Sequence, residues 1–92
     1  MEALQGFVKN VNSQIGIIRK ALSNGDADVV RREAHSIKGG AANLAASELS
    51  AIASELETIG KTGNLERGNE VLERLEKAFS RLEFYAKGDK GN

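Results

Sequence analysis

Apolar residues return at intervals of three and four along almost the whole chain, and no proline interrupts them. A chain patterned this way is committed to long amphipathic helices that bury one stripe each. Leu4, Phe7, Val8, Val11, Ile15, Ile18 and Leu22 make the first stripe, and Ser23-Asn24-Gly25 predicts its end. Asp26 or Asn24 can cap a second helix that carries Val30, Ala34, Ile37, Ala41 and Leu44 on its core side. Ser47 can cap a third, with Leu49, Ile52, Ala53, Leu56 and Ile59, predicted to stop between Gly60 and Gly63. Asn64 can cap the fourth, where Leu65, Leu72, Leu75, Phe79, Leu82 and Ala86 lead to a stop at Lys87-Gly88. Gly6 and Gly16 each cost about 1 kcal/mol against alanine inside a helix, which predicts a bend or a late start in the first one. Short turns between four such helices predict an all-α, antiparallel up-and-down four-helix bundle. It is expected as one domain over residues 1–88, with a frayed tail at 89–92.

The charge balance narrows what such a bundle can do. Lysine plus arginine equal aspartate plus glutamate at 13 each, so no net basic field is present to hold nucleic acid or an anionic membrane. No apolar run approaches the roughly 20 residues of a membrane span, and Met1-Glu2-Ala3 does not begin a secretory signal. The chain also lacks cysteine, which removes disulfides and thiolate zinc sites and is compatible with the cytoplasm, where we expect it to act. No glycine-rich nucleotide loop is present, so autokinase activity is not expected. Glu55 with Glu57, or Glu73 with Glu76, could be imagined as acid–base pairs, but beside lysines and arginines they read as a solvated face.

What remains is the single histidine, His35, the chain's one neutral-pH nucleophile. It has no histidine or carboxylate three or four residues away to make a metal site. At about 100° per residue, His35 lies roughly 140° from the centre of its helix's core stripe and should face solvent. Arg31, Gly39 and Ala42 fall within roughly 40° of it in azimuth, and Lys38 about 60° toward the core edge. Gly39-Gly40 alone could be a helix end, but the stripe continues in phase through Ala41 and Leu44, so both glycines are expected inside the helix. Gly39 then clears space beside the ring, while Gly40 admits a neighbouring helix backbone. Arg31, Arg32 and Lys38 surround the ring with positive charge. On the third helix Ser50, Ala51, Ser54 and Glu55 lie away from the stripe, as a docking surface or as ordinary surface.

The run His35-Ser36-Ile37-Lys38-Gly39-Gly40-Ala41-Ala42-Asn43-Leu44, continued to Leu49, resembles the signature of histidine phosphotransfer domains. His35 matches the phosphoryl-accepting histidine, Ile37 the apolar position, Lys38-Gly39 the Lys-Gly pair, and Leu44 and Leu49 the later apolar positions. Ala45 departs from the pattern, standing where the family usually has glycine, and this concerns the turn after the histidine helix. The resemblance implies a phosphorelay intermediate. His35 would accept a phosphoryl group from an aspartyl phosphate on one response-regulator receiver domain, or on the receiver of a hybrid sensor kinase, and pass it to another. Lys38 and Arg31 would offset phosphate charge, and Gly39 and Ala42 would leave the partner room to approach. The receiver would bring Mg²⁺, so the chain would need no cofactor, act as a monomeric carrier and not as an enzyme, and have no nucleic acid or membrane partner. Two alternatives stay open: the substrate domain of a chemotaxis-type histidine kinase, and a non-catalytic helical adaptor.

Overall fold

A computed structural model describes the backbone of residues 2–91 and the side chains of residues 4–85. Its helices are α1 (Glu2–Asn24), α2 (Ala27–Asn43), α3 (Ser47–Thr62) and α4 (Gly68–Gly91), with a 3-10 turn, Leu65–Arg67, before α4 and no strand among the described residues. The stripes do meet in one core. Val11, Ile15 and Ile18 of α1, Val30, Ala34 and Ile37 of α2, Leu49 and Leu56 of α3, and Leu75 and Phe79 of α4 are all buried. Ala21, Val71 and Ala78 join them although the stripe reading left them out, while Phe7, Leu22, Ile59 and Leu82 only edge the core. The core position expected for Ala86 and the tail expected at 89–92 lie outside the residues whose side chains are described.

The inter-helix contacts give the directions. Arg81 pairs with Glu48 and Arg74 with Glu55 across α4 and α3, and Glu83 with Asn12 and Glu76 with Arg19 across α4 and α1. Across α1 and α2, Phe7 meets Gly40 and Gln14 bonds Glu33. In each pair of helices one number rises as the other falls, so neighbours run antiparallel in an up-and-down ring.

Several predicted boundaries move, each for a local reason. α1 is helical from Glu2 through both Gly6 and Gly16, not late in starting. A Cβ at either glycine would touch nothing, so they bear only a propensity cost, which burial of the stripe outweighs. The α1 C-terminus closes as expected: Gly25 has φ 73°, its N–H bonds the Leu22 carbonyl and that of Asp26 the Ala21 carbonyl, while the Asp26 side chain accepts from the Val29 N–H at 3.3 Å. The turn after α2 repeats this closure with an alanine, because the Ala45 N–H bonds the Ala42 carbonyl, that of Ala46 the Ala41 carbonyl, and Ala45 is held at φ 57°. Ala46 thereby becomes the residue preceding α3, so Ser47 is the first helical residue and not the cap. Gly60 is no stop: it lies inside α3 where α2 crosses closest, and a Cβ there would come within 2.5 Å of the Arg31 backbone nitrogen. Gly63, at φ 78°, ends the helix. Asn64 caps the 3-10 turn, accepting from the Glu66 N–H at 3.2 Å, and α4 begins later and runs past Gly88 to Gly91.

Candidate functional site

Burial of Val30, Ala34, Ile37 and Ala41 turns the opposite side of α2 outward, and the His35 side chain keeps 65 % of its surface exposed. The ring is nevertheless anchored. Its Nδ1 lies 2.9 Å from Oε2 of Glu57 on α3, and the Lys38 ammonium lies 2.6 Å from Oε1 of the same carboxylate. Glu57 itself is only 6 % exposed. The Lys38 hydrogen bond, with a smaller contribution from His35, holds the carboxyl below the usual glutamate range against the opposing effect of burial. An ionised carboxylate can only accept, so Nδ1 carries the proton as donor, and in the neutral ring the lone pair lies on Nε2. The arrangement is an exposed imidazole oriented from a neighbouring helix, a geometry suited to nucleophilic chemistry at Nε2.

Glu57 corrects the expectation of a solvated face. It sits one turn before Gly60, and the close approach of α2 and α3 at that glycine draws the edge of α3 under α2. Position 57 borders the stripe next to Leu56, one turn after Ala53, but that phase alone does not set it apart from the other edge positions of α3. Glu55 behaves otherwise, accepting from both terminal nitrogens of Arg74 at 2.9 Å, so Glu55 and Glu57 point apart and form no acid–base pair. Glu73 and Glu76 are likewise divided, facing Lys77 and Arg19 respectively.

The remaining predicted residues separate into two groups. Lys38 joins His35 on one carboxylate, and Gly39 and Ala42 leave the outer face bare, with nothing within 4 Å of a Cβ built on Gly39. Arg31 is drawn away to Asp28 at 2.9 Å, with Arg32 at 3.8 Å from the same carboxylate, so neither guanidinium is engaged at the ring. Gly40 meets the ring of Phe7, not a helix backbone, with a built Cβ 2.7 Å from Phe7 Cε1. From Lys38 onward, an open groove of about 430 Å³ runs between α2 and α3, bordered by Lys38, Ala42, Ser50, Ala51 and Ser54. Ser50 donates its hydroxyl to the Lys38 carbonyl at 3.2 Å, tying the two walls together. Among the described residues there is no group of three or more histidine, cysteine, aspartate or glutamate side chains able to hold a metal ion, and no helix long and apolar enough to cross a membrane.

Comparison with known proteins agrees with this geometry. The chain matches the family model of the Hpt domain over residues 2–84. It is similar in structure to histidine-containing phosphotransfer protein B from Pseudomonas aeruginosa, with a TM-score of 0.92 and 31 % sequence identity, covering 97 % of this chain and 77 % of that one. Curated protein sequences return no match. An exposed histidine on the second helix of an antiparallel four-helix ring, together with a family match across most of its length, gives the conclusion that the chain belongs to the Hpt domain family, the histidine phosphotransfer proteins of phosphorelays.

Proposed function

We propose that His35 is the phosphoryl acceptor and that the chain shuttles the group between receiver domains. The observation that carries this reading is the exposed ring whose Nδ1 is held by a buried, ionised Glu57. The Nε2 lone pair attacks the phosphorus of a receiver's aspartyl phosphate in line with the acyl oxygen. The P–O bond breaks, its electrons leave with the aspartate carboxylate, and the phosphorylated ring, still protonated at Nδ1, carries a positive charge that Glu57 offsets. In the return step a second receiver's aspartate attacks phosphorus and the N–P electrons return to Nε2, restoring the neutral imidazole. Keeping Nδ1 protonated makes the departing group a neutral imidazole and not an imidazolate.

Lys38 supports the phosphoryl charge from the edge of the groove, Arg31 adds long-range positive potential, and Gly39 and Ala42 give access. The Mg²⁺ and its acidic pocket belong to the receiver, and one donor is the receiver of a hybrid sensor kinase. The chain acts as a monomer in the cytoplasm, binding no ATP. Incubation with a panel of phosphorylated receivers is expected to label the wild-type chain and leave His35→Gln unlabelled. Labelling by a histidine kinase and ATP without any receiver would instead make this a kinase substrate domain. Receiver binding with no labelling at all would make it an adaptor.

A further inference from the structure

Serine and threonine hydroxyls inside a helix ordinarily turn back on a carbonyl of the preceding turn. Two residues of α3 do so: Thr58 donates to the Ser54 carbonyl and Thr62 to the Ile59 carbonyl, each at 3.1 Å. Ser50 does not. Its hydroxyl crosses to α2 and donates to the Lys38 carbonyl at 3.2 Å, and among the described residues it is the one side chain of α3 bonded to the α2 backbone. It meets α2 at that helix's weakest point, because Gly39 and Gly40 follow Lys38 directly and glycine holds a helix less well than any residue but proline. Helix bonds run from an N–H to the carbonyl four residues back, so Gly39 closes the turn that carries His35 and Ala42 closes the turn of Lys38. On the other flank the Phe7 ring lies against Gly40. That apolar contact is non-directional: it resists displacement toward α1 without setting how far along its axis α2 sits. A hydroxyl-to-carbonyl bond has a preferred distance and angle, and so fixes that register.

Ser50 and Glu57 stand two turns apart along one edge of α3. Lys38 is therefore held by α3 at both ends, its carbonyl by Ser50 and its ammonium by Glu57 at 2.6 Å, while the other oxygen of that carboxylate meets Nδ1 of His35 at 2.9 Å. A slide or rotation of α2 at the double glycine would break the Ser50 bond and carry the ring away from Glu57 in one movement. We infer that Ser50 is a positioning residue for His35, fixing the register of α2 against α3 so that the ring reaches its carboxylate. Ser50 touches neither the ring nor Glu57 and acts through the Lys38 backbone alone. The consequence for the ring stands on geometry, and the consequence for transfer rate rests on the phosphotransfer reading.

Alanine is the better helix former, so Ser50→Ala removes the bond and keeps the fold, with circular dichroism as the check. In alkaline buffer, where an imidazole is neutral, nitrogen-15 NMR of the wild-type ring is expected to show the Nδ1–H tautomer, and Ser50→Ala to raise the share of Nε2–H. The saturated rate of transfer from a phosphorylated receiver is expected to fall about threefold or more in Ser50→Ala, with the half-saturating receiver concentration within about twofold of wild type. Ser50→Thr keeps the hydroxyl and should retain the wild-type ring spectrum. Ser54→Ala, the same change one turn along α3 at a hydroxyl with no bond to α2, should retain it too. Ser50→Ala leaving either the spectrum or the saturated rate unchanged, or Ser50→Thr or Ser54→Ala altering the spectrum equally, would overturn the positioning role while the phosphotransfer reading stands. A wild-type chain that no phosphorylated receiver loads would overturn that reading instead, and the ring spectra would still decide the role of Ser50.

Discussion

A carboxylate buried as deeply as Glu57 is tolerated only because two donors reach it, one oxygen taken by Lys38 and the other by His35. In the proposed relay, Glu57→Gln keeps an acceptor for Nδ1 but removes the charge that offsets the phosphorylated ring. We expect the transfer rate to fall about tenfold or more with the fold intact, measured by single-turnover labelling. The same group links stability to pH. Its folded pKa lies below the unfolded value, so its contribution is fully present above the ordinary glutamate range and disappears as the pH falls through the folded value. Glu57→Gln should therefore flatten the acid limb of a urea-midpoint profile and leave the neutral side nearly level. At this scale the outward direction of His35 and the bareness of Gly39 were legible, because both follow from rotation within one helix. Glu57 was not, since the phase of α3 alone does not tell which of its edge positions α2 will cover.

Between elements, the turn after α2 stores a small strain. Ala45 sits at φ 57°, where a Cβ costs about 1 kcal/mol, in a closure whose counterpart after α1 uses Gly25. Ala45→Gly is predicted to stabilise the protein by up to about 1 kcal/mol, seen as a higher urea midpoint. The departure from the family pattern marked the residue in advance, although the backbone hydrogen bonds that make Ala46 the residue preceding α3 were not legible. Gly60 gives the opposite case. Alanine is the better helix former, yet Gly60→Ala would drive a methyl into the Arg31 backbone and is expected to destabilise by about 1 to 3 kcal/mol. It should also loosen the bond from His35 to Glu57, visible as a shift of the imidazole NMR resonances. The stop-signal reading of Gly60 failed because a glycine that ends a helix and one that lets two helices touch look alike until the neighbour is known. α4 is held in register from both sides: Arg74 and Arg81 reach α3, while Glu76 and Glu83 reach α1.

For the molecule as a whole, the four stripes carried most of the fold. Their period settles which side of each helix is apolar, and short connections leave one arrangement that buries all four. Leu75, fully buried at the centre, tests this: Leu75→Ala should cost about 2 to 5 kcal/mol in urea denaturation while the folded fraction keeps its ring chemistry. The added core members Ala21, Val71 and Ala78 escaped notice because small or flanking apolar residues widen a stripe without changing its period. The imidazole hangs from α2, its anchor rises from α3, and a groove lined by alanines and serines lies between the two helices. One hairpin therefore holds both the ring and its anchor, and the outer sides of α1 and α4 serve as a chassis. Sequence drift on that chassis can proceed without disturbing the ring, so a chimera given the outward residues of a relative's α1 and α4 should keep the imidazole–carboxylate contact, visible as unchanged imidazole NMR resonances.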